Sequence, residues 1–274
     1  MEQKIFNMSK LNLACGDIFV ESSDWINLDW APKNKNVIKA NLLDRLDFPE
    51  NYFNLIYTSH FLEHIPKKDV ADVVKEIYRV LKFGGIIRIV VPDFEEMCRE
   101  YISKLDEGDF EKASFVTVEI LDQLVRQKSG GELNEWRTKA NLNPNLKTYI
   151  ALRNGTNFNR SSSSKSENLI VKILKNPKRI KSKLIWVYCR NLVKLTPKWF
   201  QYNHVSLVEP GEKHFWVHDF YSISEILRNC GFTSVIKQDA FKSLEKDFPF
   251  YPLDIDEEGR IRKGLERIYI EAIK

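Results

Sequence analysis

The chain has 274 residues, which allows one large domain or a core of ordinary size with a substantial insertion. With 43% hydrophobic and 12% aromatic residues it can bury a core, so global disorder is excluded, and no apolar run approaches the roughly 20 residues that span a bilayer. The net charge of +4 is segregated: residues 168–208 hold nine Lys or Arg and no acid, leaving 33 basic against 38 acidic residues elsewhere.

The first ten residues, M-E-Q-K-I-F-N-M-S-K, show no apolar h-region and no small-residue cleavage site. Cys15, Cys98, Cys189 and Cys230 are scattered without C-x-x-C pairing. Both features lead to the expectation of a cytoplasmic protein with reduced thiols.

Residues 11–14 read as a short buried strand running into C-G-D. A second strand is predicted at 25–29 (W-I-N-L-D), ending in an acid, a third at 37–40 and a fourth at 53–58 after the turn signal P-E-N. From Pro66 to Lys82 the apolar positions Val70, Val73, Val74, Ile77, Val80 and Leu81 follow helical spacing, with Gly84-Gly85 as the stop. A β-branched run at 86–91 then ends at Pro92. Residues 93–128 read as helical with a turn at Gly108, and 129–168, with Gly130-Gly131 and Ser161–Ser164, as a mobile polar loop. After the basic segment, a helix at 222–230 stopped by Gly231 precedes strands at 232–237 and 266–273. This alternation predicts an α/β fold with a parallel sheet covered on both faces.

Two features carry chemistry. The strand 11–14 ends in small residues, Ala14, Cys15 and Gly16 before Asp17, so a ligand can approach the backbone closely. Neither G-x-G-x-x-G nor G-x-x-x-x-G-K-[ST] is present, which favours a ligand without phosphates over NAD or ATP. About 15 residues on, Asp29 ends a strand, where a carboxylate can accept both ribose hydroxyls of a nucleoside.

This ordered set resembles the class I S-adenosylmethionine-dependent methyltransferases over residues 11–93, and more loosely over 219–274. The resemblance implies a Rossmann-like, mostly parallel sheet with helices on both faces and a large, mainly helical insertion after the fifth strand. Residues 1–93 and 219–274 would form the cofactor-binding core, and 94–218 an insertion or lid that binds the acceptor. Asn12, Ala14, Cys15, Gly16 and Asp17 would hold the amino-acid end of S-adenosylmethionine, Asp29 the ribose, Asn41 and Leu42 the adenine, and Ser59 and His60 would line the methyl end. Three departures stand out: Ala14 and Ile18 replace glycines of the loop, and Asn41 replaces an acid. The first crossover, 17–25, is too short for a full helix.

A finer likeness is to predicted methyltransferases encoded among bacterial surface-polysaccharide genes. It rests on S-H-F-L-E-H at Ser59–His64, L-D-Q-L-V-R at Leu121–Arg126 and G-E-K-H-F-W-V-H-D at Gly211–Asp219. It implies a hydroxyl of a glycan or lipid-linked sugar as acceptor, with His64, His60 and His214 as candidate bases. Tyr188, Trp199, Phe200, Tyr202, Phe215 and Trp216 are candidates for stacking on a sugar or facing a lipid. The basic segment suggests an anionic membrane surface at the inner face of the membrane.

A non-catalytic cofactor-binding scaffold is the second class. RNA or protein methylation is the third, and nucleic acid is disfavoured by the net negative remainder of the chain. His60 to His64 is also a literal H-x-x-E-H zinc-hydrolase string. Ile65-Pro66 interrupts the helix that string needs, and no metal ligand is assigned.

Overall fold

The computed structural model describes residues 10–155 and 211–274, together with 185, 187–189, 191–204 and 208. Seven strands form one sheet: β1 (Lys10–Leu13), β2 (Trp25–Asp29), β3 (Ile38–Lys39), β4 (Phe53–Ser59), β5 (Leu81–Pro92), β6 (Thr233–Gln238) and β7 (Arg267–Ile273). Their order is β3-β2-β1-β4-β5-β7-β6. Strands β1 to β5 run parallel, and β7 lies antiparallel between β5 and β6. This is the Rossmann-like, mostly parallel α/β sheet. Strand order reverses between β1 and β4, so the switch point where such sheets bind ligands falls beside the end of β1.

Alternation along β5 divides the core. Ile87, Ile89 and Val91 face a cluster formed with Leu11, Leu13, Ile56 and Ile270. That face is covered by α1 (Lys67–Val80), through Val70, Val73, Val74 and Ile77, and by a later helix, through Ile223 and Leu227. Ile86 and Val90 face the other side, with Trp25, Leu55, Tyr57 and Tyr269. There the cover is Ile18 and Val20 of the first crossover and the stretch from Ala240 to Ile261, which holds one helical turn, Phe250–Leu253.

The first crossover is indeed without a helix. Asn12 and Asn27, paired in register on β1 and β2, replace it with amide hydrogen bonds. Asn12 Nδ2 donates to the Ile18 carbonyl (3.0 Å) and to Asn27 Oδ1 (3.2 Å), while Asn27 exchanges two bonds with the Val20 backbone. Both side chains are buried, so their polar atoms need these partners.

On the second face Arg88 is fully buried. It meets Asp254 at 2.9 Å and Glu271 at 2.8 Å, and donates to the carbonyls of Lys242 and Asp239. The ring of Phe248 lies 4.7 Å from its Cζ, and Tyr57 donates to Asp254 at 2.8 Å.

Two expectations are corrected. Gly84-Gly85 does not stop α1; the helix ends at Val80 because buried Leu81 already pairs with Phe53, and the glycines form an irregularity inside β5. A Cβ on Gly85 would sit 2.8 Å from the Lys82 carbonyl oxygen, so the fold needs glycine there. Residues 131–140 and 144–154 form helices rather than a mobile loop, and residues 156–168 of that predicted loop lie outside the described residues.

After β5 the chain forms α2 (Phe94–Asp106), α3 (Phe110–Val125), α4 (Gly131–Ala140) and α5 (Pro144–Asn154). Met97, Phe115, Val116, Leu133, Ala140, Leu146 and Ile150 close a separate core between them. Asp93, Asp109 and Asn143 cap α2, α3 and α5, and Pro144 opens α5. The chain rejoins the sheet where it left: Asp93 bridges His218, and Phe94 N–H donates to the His218 carbonyl at 2.8 Å. The next helix, α6 (Phe220–Asn229), starts with a capping box between Asp219 and Ser222. Among the described residues no helix is long and apolar enough to cross a membrane.

Removing one partner of a buried ion network leaves a charge unpaired. Arg88→Met is therefore expected to lower the unfolding free energy by about 3–5 kcal/mol, measured as a reduced urea midpoint.

Candidate functional site

The glycine-type loop leaves the end of β1 with Ala14 at φ 58° and Gly16 at φ 57°. Ala14 thus keeps the left-handed backbone of the glycine it replaces, a conformation that costs an L-residue roughly 1–2 kcal/mol. Above Gly16 the space is open, since a Cβ built there would meet nothing within 4 Å. Asp29 fixes the loop: its Oδ2 accepts from Gly16 N–H at 2.9 Å and its Oδ1 from Ala31 N–H at 2.8 Å. A carboxylate has about four lone-pair sites, so both oxygens can still accept from a ligand. Asp17 is exposed and paired with Lys33 at 3.1 Å.

Two predicted cofactor residues are placed inside the protein. Asn12 is spent on the crossover, so it shapes the loop from beneath. Leu42 lies in the first core. Asn41 is exposed, and its amide turns back on Leu43 N–H and on Asp44. Trp30 (57% exposed) and Leu43 (56%) were not singled out in the sequence; Trp30 directly follows the end of β2, and Leu43 lies four residues beyond the end of the adjacent β3. Their signal was present: a large apolar residue after a strand-end acid has no core reason to be exposed. Cys15 is buried, and burial together with Asp29 pushes its thiol up to about 12.

Past the end of β4 the chain turns sharply at His60, φ 53°, into a 3₁₀ turn, Leu62–His64. Arg267 Nε–H donates to His60 Nε2 at 3.0 Å, and His60 Nδ1 lies 2.9 Å from Glu63 Oε1. Burial, with Arg267 adding to it, holds the His60 ring down to about 3. Both ring nitrogens are therefore engaged in a neutral imidazole, which removes His60 as a free base. Burial acts to raise the Glu63 carboxyl, but the His60 contact outweighs it, with His64 and His214 adding, and the group stays below the usual carboxylate range.

His64 and His214, 150 residues apart in sequence, meet with ring centroids 4.8 Å apart. His64 Nδ1–H donates to the Lys213 carbonyl at 2.9 Å. His214 Nε2 contacts the Gln123 amide at 2.9 Å, its backbone N–H donates to the Gln123 carbonyl, and burial holds its ring down to about 4. The two motifs L-D-Q-L-V-R and G-E-K-H are thereby one construction. Arg126 binds Asp122 and reaches Glu212 at 3.2 Å, and Glu212 also accepts from Gly130 N–H at 2.9 Å. Phe215 N–H donates to the Glu63 carbonyl at 2.7 Å, which fastens the returning insertion to the end of β4. A cavity of about 20 Å³, room for roughly one water, lies among Glu63, Gln123, His214, His218, Glu266 and Arg267.

Of the predicted aromatic residues, Tyr188, Trp199, Phe200 and Phe215 are exposed, and Trp216 is packed by Lys67 Nζ at 4.2 Å from its ring. The Tyr202 side chain and most of the basic segment lie outside the described residues.

Comparison with known proteins bears on the same stretch. Residues 12–89 match the family model of the methyltransferase domain. Ubiquinone/menaquinone biosynthesis C-methyltransferases are similar to it: that of Neisseria meningitidis serogroup C is 35% identical over 91 residues, 32% of this chain and 34% of that protein. The Vibrio cholerae protein is 35% identical over 92 residues, 34% of this chain and 32% of its own. The chain thus spans about a third of the length of the curated relatives it matches. Among solved structures, a S-adenosylmethionine-dependent methyltransferase from Archaeoglobus fulgidus aligns with 97% of this chain and 86% of its own at 14% identity and a TM-score of 0.40. One from Mesorhizobium loti covers 32% of this chain and 47% of its own at 21% identity and a TM-score of 0.27. Residues 12–89 are thus similar to a methyltransferase domain, a likeness that points to S-adenosylmethionine as the cofactor. The open space over Gly16, the spare lone pairs of Asp29 and the exposed Trp30 and Leu43 fit that group.

Two outcomes follow from the loop. Ala14→Gly relieves the left-handed strain and is expected to raise stability by about 0.5–1 kcal/mol after glycine's own entropy cost, measured by thermal unfolding. At pH 8 a thiol held near 12 is ionised to only about one part in ten thousand. Cys15 should then resist iodoacetamide until the protein unfolds, as mass spectrometry of the labelled peptides would show.

Proposed function

We propose that the chain transfers a methyl group from S-adenosylmethionine to a hydroxyl of a glycan or lipid-linked sugar. One observation carries the reading: the loop Ala14–Asp17, Asp29 and Ser59 all lie at the carboxyl ends of β1, β2 and β4, and the histidine cluster follows β4 directly.

The bound cofactor supplies an electrophilic methyl group. Asp29 accepts from the ribose hydroxyls, the loop backbone receives the amino-acid end, and Trp30 and Leu43 offer apolar surface to the base. Orientation of this kind supplies roughly 7–11 kcal/mol of barrier reduction. A hydroxyl acceptor must also lose a proton. The His64 Nδ1–H is given to the Lys213 carbonyl, which leaves Nε2 as the acceptor site, so His64 is the first candidate base and His214 the second. The exposed Trp199, Phe200 and Phe215 supply flat apolar surface suited to a sugar face.

The matched relatives are named as C-methyltransferases of quinone biosynthesis, but the match covers the cofactor half alone. The acceptor side here is built by α2 to α5 and the returning segment 211–218. A carbon acceptor remains the second reading, favoured by that likeness.

Isothermal titration should show S-adenosylmethionine binding to the wild type. Asp29→Ala should weaken it about 10- to 100-fold, the loss of one or two charge-assisted hydrogen bonds. No binding to the wild type sinks the proposal. With a true acceptor in hand, His64→Ala should lower kcat by about 10²–10⁴-fold. Unchanged kcat in both His64→Ala and His214→Ala would remove these residues as bases.

A further inference from the structure

Glu63, His64 and His214 have an arrangement that methyl transfer alone does not require. Glu63 is 99% buried, and among the described residues neither of its carboxylate oxygens accepts a well-directed hydrogen bond. The His60 Nδ1 contact at 2.9 Å reaches Oε1 alone, and Oε2 has no partner among the described residues. Leaving a buried carboxylate so poorly satisfied is costly unless something else meets it.

The two imidazoles beside it share a pattern. Each ties one ring nitrogen to an outer partner: His64 Nδ1–H donates to the Lys213 carbonyl, and His214 Nε2 accepts from the Gln123 amide N–H, a bond that an end-for-end turn of the amide reverses. Each leaves the other nitrogen without a hydrogen-bond partner among the described residues. The His64 bond is the outer bond of a metal-binding histidine and leaves the lone pair on Nε2; His214 offers its Nδ1 lone pair in the same way once the Gln123 amide is turned so that Oε1 accepts from Nε2–H. One ligand atom from each of the three residues lies within 4.8 Å of the others. A tetrahedral ion with bonds of about 2.0–2.2 Å needs edges of about 3.4 Å. Closure by at most roughly 1.5 Å through side-chain rotation would therefore seat it.

We propose that Glu63, His64 and His214 bind a divalent first-row transition ion, zinc by the preference of two imidazoles and one carboxylate. This is a different site from the one the H-x-x-E-H string spells. His60 is excluded from it, because its positive φ breaks the helix and its Nε2 accepts from Arg267. Glu63 becomes a ligand instead of a base, and the second histidine comes from the far end of the insertion. Three protein ligands leave a position for water or, if the methyl-transfer reading holds, for the acceptor oxygen. In that case the ion lowers the pKa of the bound hydroxyl, in place of proton removal by His64.

The test uses full-length protein stripped with a chelator, without cofactor or acceptor. Zn²⁺ is titrated by calorimetry, and Co²⁺ by its visible ligand-field absorption. One equivalent of each should bind, and Zn²⁺ should raise Tm. His64→Ala and His214→Ala should lose the stoichiometric site, and Gln123→Ala should weaken it about 10- to 100-fold. Circular dichroism confirms folding, and if a histidine variant fails to fold, the wild-type stoichiometry and Co²⁺ spectrum decide. Less than one equivalent on the wild type, or wild-type affinity in folded His64→Ala and His214→Ala, overturns the proposal. A parallel S-adenosylmethionine titration separates the readings: cofactor binding without metal binding sinks the ion alone, and the reverse sinks methyl transfer alone.

Discussion

A permanently charged guanidinium sits in the middle of the sheet, and the second face is organised around it. Arg88 cannot shed its proton, so burial obliges the protein to bring carboxylates and carbonyls to it. Asp254 and Glu271 answer the charge, and the carbonyls of Asp239 and Lys242 take the remaining donors. The segment that supplies them is mostly irregular, and it holds its place over β4, β5 and β7 through this network and the aromatic residues around it. The same strand runs on to Pro92 and Asp93, where the helical insertion departs, so the anchoring of β5 also sets where the insertion begins.

Strand ends and histidines belong to one arrangement. Parallel pairing of β2, β1 and β4 brings Asp29, the Ala14 loop and Ser59 to one edge. The sharp turn at His60 then sends Glu63 and His64 toward the insertion, and the backbone bond from Phe215 to Glu63 holds the returning chain against them. The strand-end site is thus built from neighbours in the sheet, and the histidine cluster from residues 150 positions apart.

That difference explains what could be read in advance. Strand β2 was legible to the residue, and α1, α3 and α6 to within a few, because their patterns are local. The glycine-type loop was legible through its small residues, although Ala14 hides a left-handed backbone that glycine would have advertised. Helices α4 and α5 were missed because their sequences are polar outside and their apolar contacts lie on α2 and α3. Arg88 was not singled out within I-I-R-I-V-V because its partner Asp254 is 166 residues away. Asn12 was taken for a ligand-binding residue, since nothing local shows that Asn27 stands opposite it across the strand pair. The motifs around Asp122 and Glu212 were visible as strings, but their joining through Arg126 is a matter of tertiary packing.

The insertion leaves at Asp93 and returns at His218, and these two residues touch. A module whose two ends meet asks almost nothing of the sheet that carries it, because replacing it alters the loop-closure term only slowly with length. Insertions with adjacent ends are the kind that folds tolerate best. One cofactor platform can therefore accept different helical modules over time without rebuilding its core. Under the proposed function, acceptor choice would then diverge by exchange of whole segments, faster than point substitution in the sheet would allow.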